Sequence, residues 1–203
     1  PMDQLRTVIS ICDSGVLKEE RLQARSKSDY YAFRLKYYSS VLKLLDYPQK
    51  DDCYPKTLHE MMPYYHATYL KPETLLVLSA LRKEGYKIGI VSNFDHSLPR
   101  ICNELGIDEK VDFITYSDDL GIEKPLPYIF EDALEKAGVK PEETIHIGDS
   151  YVADIQGAKA LGITPILITD TKAYQDCICI HNLIDILRFL NIEYYKSIME
   201  DLA

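Results

Sequence analysis

Three short stretches of this chain hold side chains whose chemistry belongs together. Ser92 and Asn93 lead into Phe94 and Asp95, Lys124 sits in the run Gly121-Ile122-Glu123-Lys124-Pro125, and Asp149 follows Gly148 with Asp154 five residues later. A hydroxyl, a lysine and paired carboxylates are the set that a phosphoryl group requires. Hydroxyl and backbone N–H groups hold its oxygens, a cation offsets charge that develops in transfer, and carboxylates supply the hard oxygen ligands that Mg2+ demands. Taken singly, each residue has an ordinary use: Asp149 as a helix cap, Lys124 in a turn, Ser92 as a loop hydroxyl. Their meaning depends on whether the fold gathers them.

The elements after residue 70 are patterned to do so. An amphipathic segment, a glycine and a short apolar run recur four times. Thr74 to Glu84 stops at Gly85 before residues 87–91, and Leu98 to Leu105 stops at Gly106 before residues 112–116. Tyr128 to Ala137 stops at Gly138 before residues 144–147, and Ile155 to Leu161 stops at Gly162 before residues 165–168. Glycine ends a helix because it tolerates the left-handed conformation there, and β-branched runs suit strands buried on both faces. Strands alternating with helices predict right-handed crossovers and a parallel sheet covered on both sides. The predicted class is α/β, a Rossmann-like parallel-sheet core over residues 71–203. In such sheets chemistry lies beyond the carboxyl ends of the strands, where all three stretches fall.

Residues 1–70 read differently, as a helical region. Tyr31, Leu35, Tyr38, Leu42 and Leu45 recur at three- and four-residue intervals, and Leu58, Met61, Met62 and Tyr65 form a second stripe. Charge also divides there: ten Lys and Arg against nine Asp and Glu up to residue 70, thirteen against twenty-three afterwards. The acidic part would repel a phosphate backbone, so no nucleic-acid partner is expected. Apolar runs of five or six residues fall far short of the roughly 18 to 20 that span a bilayer, so no membrane partner is expected either. Five scattered cysteines read as reduced thiols, and the chain as cytoplasmic. His146, inside an apolar strand, reads as a core or supporting residue; Asp95 is a candidate for the rim of the site, and the other histidines for surface or packing.

Ser92-Asn93, the run Gly-x-x-Lys-Pro-x-Pro from Gly121 to Pro127, and Gly148-Asp149-Ser150-x-x-x-Asp154 resemble the second, third and fourth motifs of the haloacid dehalogenase-like (HAD) hydrolases. Order and intervals agree over about residues 70 to 170. The resemblance implies a small helical (C1-type) cap supplied by residues 1–70 and a Mg2+-dependent phosphatase that acts on a small phosphorylated metabolite through an aspartyl-phosphate. It implies that Ser92, with Asn93 beside it, binds phosphoryl oxygens. Lys124 would bridge the nucleophile and the transferring group, and Asp149 and Asp154 would hold Mg2+ directly or through water. Two other readings stand beside this one: a non-catalytic relative that binds phosphate and Mg2+, and a 2-haloacid dehalogenase. Dehalogenation attacks carbon without Mg2+, so the carboxylate pair favours phosphate.

The family's first motif is an Asp-x-Asp closing the first strand, one aspartate attacking phosphorus and the other serving as acid and base. Residues 1–70 contain no Asp-x-Asp. The nearest match is Ile9-Ser10-Ile11-Cys12-Asp13-Ser14-Gly15-Val16-Leu17, which puts Cys12 at the nucleophile position without gaps, or Asp13 there with a one-residue gap. By the resemblance, this first strand is central, between the strands ending at Val91 and Ile147. Residues 7–12 are then a degenerate first core strand. Alternatively Leu5, Val8, Ile9, Cys12 and Val16, at helical spacing, make residues 3–14 a cap helix of a chain whose first motif lies upstream.

Overall fold

The computed structural model describes residues 23–47, 53–61, 68–171 and 174–192. Residues 7–12 and Asp13 lie outside the described residues. The chain divides into two compact units: Pro1–Ala67 with Asn93–Ser97 and Tyr116–Glu123, and Thr68–Ser92 with Leu98–Thr115 and Lys124–Ala203.

The first unit is helical. Helix α1 (Lys27–Leu44) begins where the Ser26 hydroxyl accepts the Asp29 N–H at 3.2 Å, and α2 (Cys53–Met61) follows. Helix α1 buries Tyr30, Phe33, Tyr38, Val41 and Leu42, while Tyr31, which the spacing puts in the buried stripe, is exposed. The buried face is rotated because the Tyr30 hydroxyl shares a 3.2 Å hydrogen bond with Ser117 and its ring packs against Phe33. Ser117 opens a short helical turn, Ser117–Leu120, that ends at Gly121 with φ +72°. A side chain at Gly121 would be strained by that φ, and its Cβ would lie 2.3 Å from the backbone of Ser26 and Lys27.

The second unit carries the α/β pattern. In chain order it contains α3 (Thr74–Lys83), β1 (Gly89–Ser92), α4 (Leu98–Glu104), β2 (Phe113–Tyr116, whose last residue belongs to the first unit), α5 (Pro127–Ala137) and β3 (Ile145–Gly148). A π-helical turn (Tyr151–Gln156) then runs into α6 (Gly157–Ala160), followed by β4 (Thr164–Ile168), β5 (Ile178–Ile180) and α7 (Asp185–Phe189). The four expected strands are present, displaced by one or two residues. Strand β5 was not expected. Three residues are too few to show a period, and only the parallel pairing of Ile166 with Ile178, Leu167 with Cys179 and Ile168 with Ile180 reveals it.

Strands β3, β4 and β5 form one parallel sheet in that order, and β1 pairs with β2 in a second. Among the described residues the two orders are separate in their pairing, and the α/β class with parallel strands is the one expected. The core of the unit joins Val77 and Ala80 of α3 to Ile166 of β4, Ile180 of β5 and Ile186 and Leu187 of α7. Helix α5 ends at Gly138 with φ +64°, where the Lys87 ammonium donates to the Ala137 carbonyl at 2.7 Å and complements the helix dipole.

Candidate active site

The site is built at the carboxyl ends of β1 and β3. Lys124 opens the turn before α5 with only 9% of its surface exposed. Its ammonium donates to the Val91 carbonyl at 2.7 Å, next to Ser92, and to Asp154 Oδ1 at 2.6 Å. Asp154 is 3% exposed and lies on the π-helical turn after β3. Its Oδ1 also accepts from His146 Nε2 at 2.9 Å, and its Oδ2 accepts the Ser150 N–H at 2.9 Å. A carboxylate that is this buried persists as an ion only when paired and hydrogen-bonded.

Local sequence explains how Asp154 reaches this position. The Ser150 hydroxyl accepts the Ala153 N–H at 3.2 Å and starts the turn, and the Ile155 N–H reaches back five residues to the Ser150 carbonyl at 3.4 Å. The carboxylate then sits over the backbone of Gly148. A Cβ at Gly148 would lie 2.1 Å from Asp154 Cγ, so glycine is the residue that admits the carboxylate there.

Electrostatics follow from these contacts. Burial acts to raise the Asp154 pKa, but the His146 hydrogen bond, the Lys124 charge and the Ser150 N–H outweigh it and hold the carboxyl well below the usual carboxylate range. Asp154 is therefore ionised across the physiological range. Its acceptance from Nε2 requires His146 to carry a proton on that nitrogen.

Of the residues singled out in the sequence, Ser92, Lys124, Asp149 and Asp154 fall in the second unit and Asn93 in the first. Lys124 and Asp154 are in direct contact, Ser92 adjoins the carbonyl that Lys124 holds, and Asp149 is exposed at the end of β3. Asp95, a rim candidate by position, accepts the Ser97 N–H at 2.9 Å in the turn that leads into α4. His146 supports Asp154 directly. Strand periodicity signals its half-buried place but not its partner.

Among the described residues no group of three or more His, Cys, Asp or Glu side chains is placed to hold a metal. Two carboxylates are what the site offers. That donor set fits Mg2+, which is commonly bound through one or two carboxylates while waters and substrate phosphates complete its shell. Protein donors already occupy three of the roughly four acceptor positions of Asp154, which leaves Asp149 the more open of the pair.

A family model described as "haloacid dehalogenase-like hydrolase" matches residues 15–162. A mouse relative, "Haloacid dehalogenase-like hydrolase domain-containing protein 3", is 39% identical over 103 residues, which are 51% of this chain and 41% of that protein. "Glyceraldehyde 3-phosphate phosphatase" of Methanopyrus kandleri is 37% identical over 128 residues, 60% of this chain and 54% of that protein. This chain thus spans about half the length of the curated relatives it matches. Among solved structures, the magnesium-bound HAD-hydrolase YfnB from Bacillus subtilis superposes with a TM-score of 0.72 at 22% identity, over 94% of this chain and 82% of that one. At that identity the likeness is one of fold.

Proposed function

Because the chain belongs to the haloacid dehalogenase-like hydrolase family, we propose that it serves Mg2+-dependent hydrolysis of a small phosphorylated metabolite. The observation that carries this reading is the buried contact of Lys124 with Asp154 and the Val91 carbonyl, at strand ends shared with Ser92 and Asp149. Lys124 would offset charge on the phosphoryl group, while Ser92, with Asn93 beside it, would hold the phosphoryl oxygens. Asp149, with Asp154 directly or through water, would hold Mg2+, which when bound neutralises phosphate charge and orients the transferring group.

Asp13 is the candidate nucleophile. In the proposed step its carboxylate oxygen bonds to phosphorus as the P–O ester bond breaks and the leaving oxygen takes a proton from solvent; water then breaks the aspartyl-phosphate bond, releasing phosphate and restoring the carboxylate. The helical unit would act as a cap that selects the substrate, its tyrosines offering stacking and hydroxyl contacts. Free thiols at Cys53, Cys102, Cys177 and Cys179 suit a reducing, cytoplasmic compartment.

One observation favours a second reading, a non-catalytic relative that binds phosphate and Mg2+ at the same site: residues 1–70 lack Asp-x-Asp. The test is hydrolysis of an aryl phosphate by the 203-residue chain with and without Mg2+, alongside Asp149→Asn. Turnover that needs Mg2+ and is lost in the variant supports the phosphatase. Mg2+-dependent phosphate binding without turnover supports the binding protein. Turnover indifferent to both Mg2+ and Asp149→Asn overturns the site assignment.

A further inference from the structure

The segment that carries the two carboxylates has little packing of its own in its first half. Asp149 and Val152 are exposed, Ser150, Tyr151 and Ala153 are half-buried, and burial begins only at Asp154 and Ile155. Asp154 is anchored by its own hydrogen bonds to Lys124, His146 and Ser150. The Asp149 carboxylate has no such anchor among the described residues, so its position depends on the backbone that follows it. That backbone is the π-helical turn Tyr151–Gln156, a rare geometry closed by bonds from residue i to i+5. Relaxing it to an α-helix would rotate the residues ahead of it by roughly 100° relative to Asp154, the angle of one helical residue.

Asp176, on the link from β4 to β5, straps this turn from outside. Its Oδ2 accepts the Tyr151 hydroxyl at 2.8 Å and the Lys159 ammonium at 3.1 Å, and its backbone carbonyl accepts the same ammonium at 3.1 Å. Tyr151 is the first residue of the turn, and Lys159 lies in α6, directly beyond its end. One carboxylate thus spans the turn from end to end. A second contact from the same link supports it: the Tyr174 ring stacks on Tyr151 with centroids 4.4 Å apart and an interplanar angle of 17°. The link is itself tied to the sheet, because Cys179 of β5 pairs with Leu167 of β4 and its thiol reaches the Tyr174 carbonyl at 3.8 Å.

The strap adds little to stability. Lys159 and Asp176 are about half exposed, and exposed ion pairs contribute little to folding. What it does is hold a local geometry. We propose that Tyr151 and Asp176 are positioning residues: the strap keeps the π-helical turn from relaxing and so fixes where Asp149 presents its carboxylate relative to Asp154. This role rests on the proposed phosphatase reading, in which the two carboxylates share Mg2+. Neither Tyr151 nor Asp176 touches the metal or the phosphate in it; both act through the backbone of the turn.

The test uses the full 203-residue chain and the variants Tyr151→Phe, Asp176→Ala and Asp176→Asn. Tyr151→Phe keeps the stack on Tyr174 and removes only the hydroxyl, while Asp176→Asn keeps an acceptor for that hydroxyl. Mg2+ is titrated calorimetrically into each protein at saturating inorganic phosphate, and each protein is melted. Tyr151→Phe and Asp176→Ala should weaken Mg2+ binding on the order of tenfold with cooperative melts little changed, and Asp176→Asn should restore most of the affinity. Hydrogen exchange at the Ser150, Ala153 and Asp154 amides, which the turn itself holds, should quicken in the two weakened variants. Unchanged Mg2+ affinity in Tyr151→Phe and Asp176→Ala, or an equal loss in Asp176→Ala and Asp176→Asn, overturns the positioning role alone. Loss of the cooperative melt in Tyr151→Phe would make the contact structural and overturn it as well. An unsubstituted chain that binds no Mg2+ with phosphate present overturns the phosphatase reading instead, and exchange then decides the strap: rates equal in all the proteins overturn it too.

Discussion

Replacing Lys124 with Met would remove one half of a buried ion pair and leave Asp154 Oδ1 with His146 alone. Breaking such a pair typically costs about 3 to 5 kcal/mol, because the remaining charge stays buried. Urea unfolding should show a loss of that size for Lys124→Met and a smaller loss for Lys124→Met with Asp154→Asn than the two single losses combined. Asp154 also makes a prediction about pH. Its folded pKa lies below the ordinary value of 3.8, so its stabilisation is fully present above about pH 4 and is lost as pH falls through the folded value. The stability gap between the unsubstituted chain and Asp154→Asn should therefore be constant from pH 5 to 7 and narrow in acid; a gap that widens on acidification would contradict the pairing. Lys124 and Asp154 were legible in sequence because each follows a strand at a defined interval. The His146 contact was not, since a histidine in an apolar strand does not announce what its ring nitrogen meets.

At the scale of elements, two glycines hold positions that side chains cannot. Gly148→Ala would drive a methyl group into Asp154 Cγ. Overpacking of this kind costs about 1 to 3 kcal/mol, and here it should also displace the carboxylate from Lys124. Calorimetric melting of Gly148→Ala should show the loss, and recovery of the full melting temperature would mean that the carboxylate does not sit against β3. Gly121→Ala combines a disfavoured φ with a backbone clash at Ser26 and Lys27, so it should destabilise by more than about 1 kcal/mol. Faster amide exchange from residue 26 to 30 in that variant would localise the damage to the start of α1. Strand and helix positions in the α/β part were readable because glycine stops and β-branched runs alternate four times. The face of α1 was not, because tyrosines lie all around the helix and Ser117, 87 residues away from Tyr30, decides which of them is buried.

For the whole molecule, the order of the strands is the observation that the sequence could least convey. Periodicity identifies strands one at a time, whereas the order β3-β4-β5 and the separate pair β1-β2 exist only in the pairing. The family match over residues 15–162 shows the hydrolase family, and the strand-end cluster is the site proposed for it. Neither depends on the nucleophile, so the most direct test is a binding measurement. Calorimetric titration of inorganic phosphate into the folded 203-residue chain, with and without Mg2+, should be compared with Asp149→Asn and Ser92→Ala. The account predicts phosphate binding that requires Mg2+ and weakens at least about tenfold in each variant, a difference of about 1.4 kcal/mol. Binding that ignores Mg2+ and both substitutions, in proteins that melt cooperatively, would contradict it.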